Sequence, residues 1–185
     1  MPGDAEATRR KLMDAAVEEF ATYGIAGARV DRIAETAKCN KALIYHYFGN
    51  KDSLFEAVFN EVCGDTVREV PLDPADLAGY AGKIFDRYEA HPEMARLATW
   101  HRLERATPLP LVLDKTKTKI ARITAAQRDG LVRADIGAAD LLGLVVHLAA
   151  LWTATTPEFG SLVARHSRAH RRKVVTDAVG ALLAG

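Results

Sequence analysis

The chain has 185 residues, 49% of them hydrophobic, and its 25 lysines and arginines against 24 aspartates and glutamates leave a formal charge of +1. That length holds a small N-terminal domain and a larger one, each with its own core, while the near-neutral balance excludes a domain that grips nucleic acid by bulk positive charge; the first 55 residues are also neutral, with eight charges of each sign. Cys39 and Cys63 have no metal-ligand spacing and exclude a disulfide framework, no apolar signal segment opens the chain, and the longest apolar run, 141–154, carries His147 and is too short for a membrane span.

Val30, Ile33, Ala34 and Ala37 recur at spacings of three and four, which predicts a short helix over 30–37 with Asp31, Arg32 and Glu35 on its other faces. Asn40 offers a side-chain acceptor to the free amides of a second helix beginning at Lys41, so the turn between them is Lys38 to Asn40. Ile44 and Phe48 face the first helix, and Lys41, Ala42, Leu43, Tyr45, His46 and Tyr47 occupy the more exposed sides. Small, basic and aromatic side chains at the start of a short helix suit a DNA major groove, where methyl contacts, hydroxyls and cations meet base edges and phosphates. Spacing alone leaves a second reading open, a small helical hairpin with half-buried aromatics.

The pattern continues as helices. One is predicted over 51–70, with Leu54, Phe55, Val58, Phe59 and Val62 as its apolar face and Pro71 and Pro74 stopping it. Asp73 or Asp76 starts the next, which carries Leu77, Tyr80, Ala81, Ile84, Phe85 and Tyr88 and ends near His91 and Pro92. Another runs through Met94, Leu97, Trp100, His101 and Leu103. After Pro108 and Pro110 a long helix covers 111–127, with Lys115, Lys117 and Lys119 on its charged face and Gly130 ending it. A loop near 131–137 leads to a helix over 138–155 that is apolar almost all round, broken by Pro157 and Gly160. The last, 161–183, starts basic and finishes apolar on Val174, Val175, Ala178, Val179 and Leu182. With no strand alternation, no G-x-G-x-x-G and no Walker loop, the class is all-α. Two such apolar helices call for cover, from a second subunit or from the monomer core. His166 and His170 lie four apart, but without an adjacent glutamate and amid Arg165, Arg168 and Arg171 to Lys173 they read as part of a solvated basic face rather than a metal site. The stretch His101 to Arg105 has acid and base groups but no nucleophile, so neither an enzyme nor a cofactor is expected.

The segment from Arg9 or Arg10 to about Phe59 resembles the DNA-binding domain of the tetracycline-repressor (TetR) family of bacterial transcription regulators. The resemblance rests on VDRIAETA, NKALIYHYF and GNKDSLFEAVF, preceded by an amphipathic helix through Phe20, Tyr23 and Gly24. Two positions depart from the family pattern. Lys38 stands where glycine is usual in the turn, so a non-glycine residue takes a positive φ at a cost of about 1 kcal/mol. Arg29 stands where a capping threonine is usual, which leaves Asp31 to favour the helix N-terminus by charge. Ala42 and Leu43 are less polar than in many relatives, so sequence choice leans on thymine methyls and DNA shape.

The resemblance implies an all-α chain of about nine helices, with a three-helix helix-turn-helix domain over 1–50 and an effector-binding and dimerisation domain over 51–185. It implies that Lys41, Ala42, Leu43 and Tyr45 approach base edges or sugars, that Tyr47 and Lys51 grip phosphates, and that Arg29 or Arg32 adds a backbone contact. His46 belongs to the same surface, with an intrahelical or backbone contact rather than a catalytic role. The implied partners are a palindromic double-stranded operator, a second copy paired through the last two helices, and a hydrophobic or aromatic effector; no membrane is involved. Phe85, Tyr88, Met94, Trp100, His101, Leu103, His147 and Trp152 are the expected lining of the effector cavity. The expected function is a cytoplasmic, dimeric, ligand-released repressor. Two alternatives stand beside it: an architectural or activating DNA-binding protein without a ligand, and a helical carrier or enzyme whose helix-turn-helix is only structural.

Overall fold

The computed structural model describes residues 2–105 and 107–184. Among these, ten α-helices and two 3-10 turns form and no strand does. The helices are α1 (Pro2–Gly27), α2 (Val30–Ala37), α3 (Lys41–Phe48), α4 (Lys51–Glu69), α5 (Leu77–Ala90), α6 (Pro92–Glu104), α7 (Pro110–Arg128), α8 (Ala138–Ala149), α9 (Pro157–Val163) and α10 (Arg168–Ala184). By contact the chain divides into two units, Met1–Gly64 with Glu93–Pro110, and Asp65–Pro92 with Leu111–Gly185.

The first unit is organised by the apolar positions of its short helices. Leu12, Phe20, Ile33, Ile44, Leu54, Phe55 and Leu97 have no solvent exposure, and the rings of Phe20 and Phe55 meet edge to face with centroids 5.2 Å apart. Helix α1 is not continuous: Gly24 has φ 73° and ψ −179°, a conformation open essentially only to glycine. In the second unit α5 packs against α10 and α8, around a core that includes Leu77, Tyr80, Ile84, Phe85, Leu141, Val145, Val175 and Val179. Asp73 and Asp76 both act as caps, Asp73 for a 3-10 turn at Pro74–Asp76 and Asp76 for α5, whose Gly79 N–H it accepts at 2.7 Å. Gly130, at φ 74°, follows α7, and Gln127 pins the next loop by donating to the carbonyls of Arg133 and Ile136.

Three sequence expectations for the second unit are corrected. The helix expected over 138–155 ends at Ala149 and is followed by a 3-10 turn at Leu151–Thr153. Thr153 turns its hydroxyl back on the Ala150 carbonyl at 2.8 Å, and Pro157 disfavours helical backbone at Thr156, so the α ladder has no continuation. Pro157 does not merely break a helix; it occupies the first turn of α9, capped by Thr156. The last helix therefore does not start at Ser161: α9 ends at Val163 and α10 begins afresh at Arg168, where Ser167 Oγ accepts the His170 N–H at 3.1 Å.

The basic run at the start of α10 is not simply solvated. Arg171 forms a two-pronged pair with Glu89 of α5, at 2.9 and 2.6 Å, and Asp86 accepts from both Arg168 and Arg172 at 2.8 Å. Asp86 and Glu89 lie three apart on one face of α5, so the cations of α10 are arranged against a matching acidic edge. The pair at Glu89 is half-buried, with side-chain exposures of 27% for Arg171 and 21% for Glu89. Its removal in Glu89→Ala is expected to lower stability by about 1 kcal/mol after allowing for solvent screening. A shift of the urea midpoint checks this, and Glu89→Gln should recover part of the loss.

Candidate nucleic-acid interface

The helix-turn-helix forms over the residues that the sequence assigned to it. Ile33, Ala34 and Ala37 of α2 and Ile44 of α3 are buried, and α2 packs against both α1 and α3. Lys38 closes α2 in the left-handed region at φ 54° and ψ 41°, its N–H bonded to the carbonyls of Ala34 and Glu35. Asn40 caps α3 by accepting the Ala42 N–H at 2.8 Å. With Ile44 fixed inward, Ala42, Tyr45 and His46 are exposed, and Lys41, Leu43 and Tyr47 are half-buried. Tyr45 keeps 47% of its surface in solvent. The result is one short helix whose outer side offers methyl, phenol and imidazole groups to a partner.

The cations around it are held more tightly than their spacing indicates. Lys41 pairs with Asp31 at 2.8 Å, tying the start of α3 to the start of α2, and the hydrogen bond and charge of that carboxylate raise its ammonium above the ordinary value. Arg32 reaches back to α1, where its Nε and Nη2 meet Glu19 Oε1 at 2.9 and 2.6 Å. Its guanidinium lies 4.1 Å from the centroid of the Tyr23 ring and also donates to the Gly27 carbonyl. Lys51, at the first turn of α4, donates to the carbonyls of Ala26 and Ala28 at 3.1 and 3.0 Å. One of its three N–H bonds remains for another acceptor. Arg29 is exposed, and its side chain makes no capping bond.

Glu19, which belongs to no local motif, holds the start of α2 in place. It is 8% exposed, the most buried acid of the described residues, and it accepts both the Arg32 guanidinium and the Arg29 backbone N–H at 2.8 Å. It thus supplies from α1 the acceptor at the start of α2 that Arg29 lacks. Its sequence signal is its register: Leu12, Ala15, Ala16, Glu19 and Phe20 share one helical face, so a carboxylate there has to meet a buried donor.

The eight residues expected around an effector fall four in each unit. Phe85 is in the core of the second unit at 1% exposure, with Tyr88 packed partly against that core. His147 is exposed and bonded through Nδ1 to the Gly143 carbonyl, while Trp152 donates its indole N–H to the Arg171 carbonyl at 3.2 Å. In the first unit Met94 is buried, Leu103 is 67% exposed, and Trp100 donates to the Ala21 carbonyl at 3.2 Å. The ring of His101 stacks on that of Phe59, centroids 4.7 Å apart, and its buried Nε2 has no protein partner. Among the described residues no group of three or more histidine, cysteine, aspartate or glutamate side chains could hold a metal ion.

The description "Bacterial regulatory proteins, tetR family" matches residues 12–58, and "Tetracyclin repressor-like, C-terminal domain" matches residues 76–180. The chain belongs to the TetR family. It is 42% identical over 159 residues to the HTH-type transcriptional repressor SCO4008 of Streptomyces coelicolor, a match covering 84% of this chain and 82% of that protein. The HTH-type transcriptional repressor NicS of Pseudomonas putida is 30% identical over 76% of this chain and 66% of its own. The crystal structure of SCO4942 from Streptomyces coelicolor superposes with a TM-score of 0.88 at 39% identity, covering 95% of this chain and 98% of that one. FadR from Bacillus subtilis, crystallised with stearoyl-CoA, shares the fold with a TM-score of 0.69 at 19% identity, over 92% of this chain and 97% of its own. As a TetR-family protein the chain is a DNA-binding transcriptional regulator, and its relatives are regulators rather than enzymes.

Two predictions follow the geometry of this unit. Replacing Glu19 by alanine strips the acceptor from Arg29 N–H and from Arg32 and is expected to cost on the order of 2 kcal/mol in denaturant unfolding, with Glu19→Gln intermediate. The second concerns His101. Burial, and after it the nearby charge of Arg105, push its pKa below the ordinary imidazole value. The folded state favours the neutral ring, so the unfolded chain takes up the proton first as pH falls and stability drops with it. Unfolding free energy should therefore decline from about pH 7 to about pH 5, and His101→Phe should flatten that decline.

Proposed function

We propose that this regulator is a cytoplasmic repressor that binds a palindromic operator as a dimer and leaves it when a hydrophobic or aromatic small molecule binds. The observation that carries the reading is the outer face of α3, where Ala42, Tyr45 and His46 are exposed beside half-buried Leu43 while Ile44 anchors the helix from behind. In this reading residues 1–50 read DNA. Lys41, Ala42, Leu43 and Tyr45 approach base edges or sugars, with thymine methyls the natural partners of Ala42 and Leu43. Tyr47, His46, Arg29 or Arg32, and the remaining N–H of Lys51 serve the backbone, where contacts fix register rather than sequence.

Residues 51–185 pair and sense in the same reading. Support for pairing comes from apolar groups left in solvent on and just after α8, Leu144 at 43% and Leu151 at 39% exposure, together with partly exposed Val174, Leu182 and Leu183 on α10. A second copy would cover them, and the two-fold axis would set two α3 helices about one DNA turn apart. Repression is supported by relatives that carry that name. The effector reading draws on Phe85, Tyr88, Met94, Trp100, His101, Leu103, His147 and Trp152, and on FadR, a protein of the same fold crystallised with stearoyl-CoA. Ligand and operator would then oppose each other through one reciprocal coupling energy. A cytoplasmic site fits a chain in whose described residues no helix is long and apolar enough to cross a membrane.

Selection of bound fragments from the source genome, followed by footprinting at two salt concentrations, tests the reading. The expected result is a protected pseudo-palindrome. Tyr45→Ala should weaken binding to it by about tenfold or more while leaving the melting temperature unchanged, since the lost contacts are to DNA and not to the core. Weak, sequence-blind binding would leave the helix-turn-helix as a scaffold.

A further inference from the structure

Between Gly24 and Arg29 the chain leaves α1 and enters α2, and much of what holds that junction comes from α6, far away in sequence. Gly24 turns the backbone out of the helix at φ 73° and ψ −179°. The Ala26 N–H just beyond it is taken by Glu104 Oε2 at 2.6 Å, 78 residues on. One helical turn earlier on α6, Trp100 donates its indole N–H to the Ala21 carbonyl at 3.2 Å, on the other side of the break. The contact is close: a Cβ at Gly24 would collide with Glu104 Oε1 and lie 2.9 Å from Trp100 Cε3. Arg105, next to Glu104, pairs with Asp52 of α4 at 2.6 Å and so fixes the same end of α6. This end of α6 lies within the stretch matched by the C-terminal family description, yet its contacts place it in the first unit.

We infer that Glu104, supported by Trp100, is a positioning residue for DNA reading: its carboxylate fixes the broken end of α1 and thereby the angle at which α2 and α3 are presented. The inference rests on the DNA-reading role proposed above for α3. Chemistry gives it a distinctive sign. Glu104 is an acid in the unit that approaches a polyanion, so by charge alone its removal strengthens DNA binding. Loss of the acceptor for Ala26 N–H acts the other way, by letting the α1–α2 junction relax.

The experiment measures affinity of the full chain for its selected operator at two salt concentrations. Glu104→Ala is expected to weaken binding about tenfold with an unchanged salt slope, because no phosphate contact is lost. Glu104→Gln loses the same charge but keeps an acceptor oxygen, and should bind at least as tightly as the wild type. Equal losses in the two variants, or wild-type affinity in Glu104→Ala, overturn the inference. If the alanine variant does not fold, Glu104→Met keeps the volume without the acceptor; weaker binding than Glu104→Gln supports the inference and equal binding overturns it. A wild type that selects no operator overturns both this inference and the DNA-reading role, whereas a wild type that binds and variants that match it overturn this inference alone.

Discussion

The junction from Gly24 to Arg29 is the constraint on which the placement of α2 and α3 depends. A helix end there exposes carbonyls, and the start of α2 exposes amides, within six residues that contain no side-chain cap of their own. The chain satisfies them from outside: Lys51 for the Ala26 and Ala28 carbonyls, Arg32 for Gly27, Glu19 for the Arg29 N–H and Glu104 for the Ala26 N–H. Charged partners make stronger hydrogen bonds than neutral ones, so a junction built this way is stiff without a local sequence signal for stiffness. The direction of α2, and through the Lys38 turn that of α3, follows from it.

The same arrangement explains how a neutral domain serves as a DNA reader. By resemblance Arg32 and Lys51 are expected at the DNA backbone and Lys41 at base edges or sugars, but each spends hydrogen bonds on the protein itself. A cation held in this way is less free to neutralise a phosphate than a mobile lysine, so in the proposed reading affinity per subunit would depend less on counterion release and more on the fit of α3. Ala42, Leu43 and Tyr45 have little to offer by bidentate hydrogen bonding. In the reading proposed above their recognition would be by methyl packing and local shape, which demands a well-fixed backbone. Stiffness at the junction is what such an apolar readout on α3 would require.

What could be read from the sequence was local. The stripe of α2, the Asn40 cap, the burial of Ile44 and the positive φ of Lys38 all arise within a few residues, where propensity and capping chemistry act directly. What could not be read depended on partners far along the chain. Nothing near Arg29 says that Glu19 replaces its missing cap, and nothing near Glu104 says that its acceptor role is to a residue 78 positions earlier. Thr153 and Ser167 belong between these cases. Both use local hydroxyl chemistry to end or restart a helix, but an apolar pattern running across them masked the signal.

The basic start of α10 shows why charge runs mislead in a folded chain. Arg168, Arg171 and Arg172 look like a surface for an acidic partner, and in the second unit that partner is α5. Asp86 and Glu89 sit at i and i+3, the spacing that sets two carboxylates on one edge, and the arginines of α10 sit at i, i+3 and i+4, which matches it. A guanidinium pairs more favourably with a carboxylate on a half-buried helix edge than with water, because the planar fork gains two aligned bonds at once. The run is therefore engaged in joining α5 to α10.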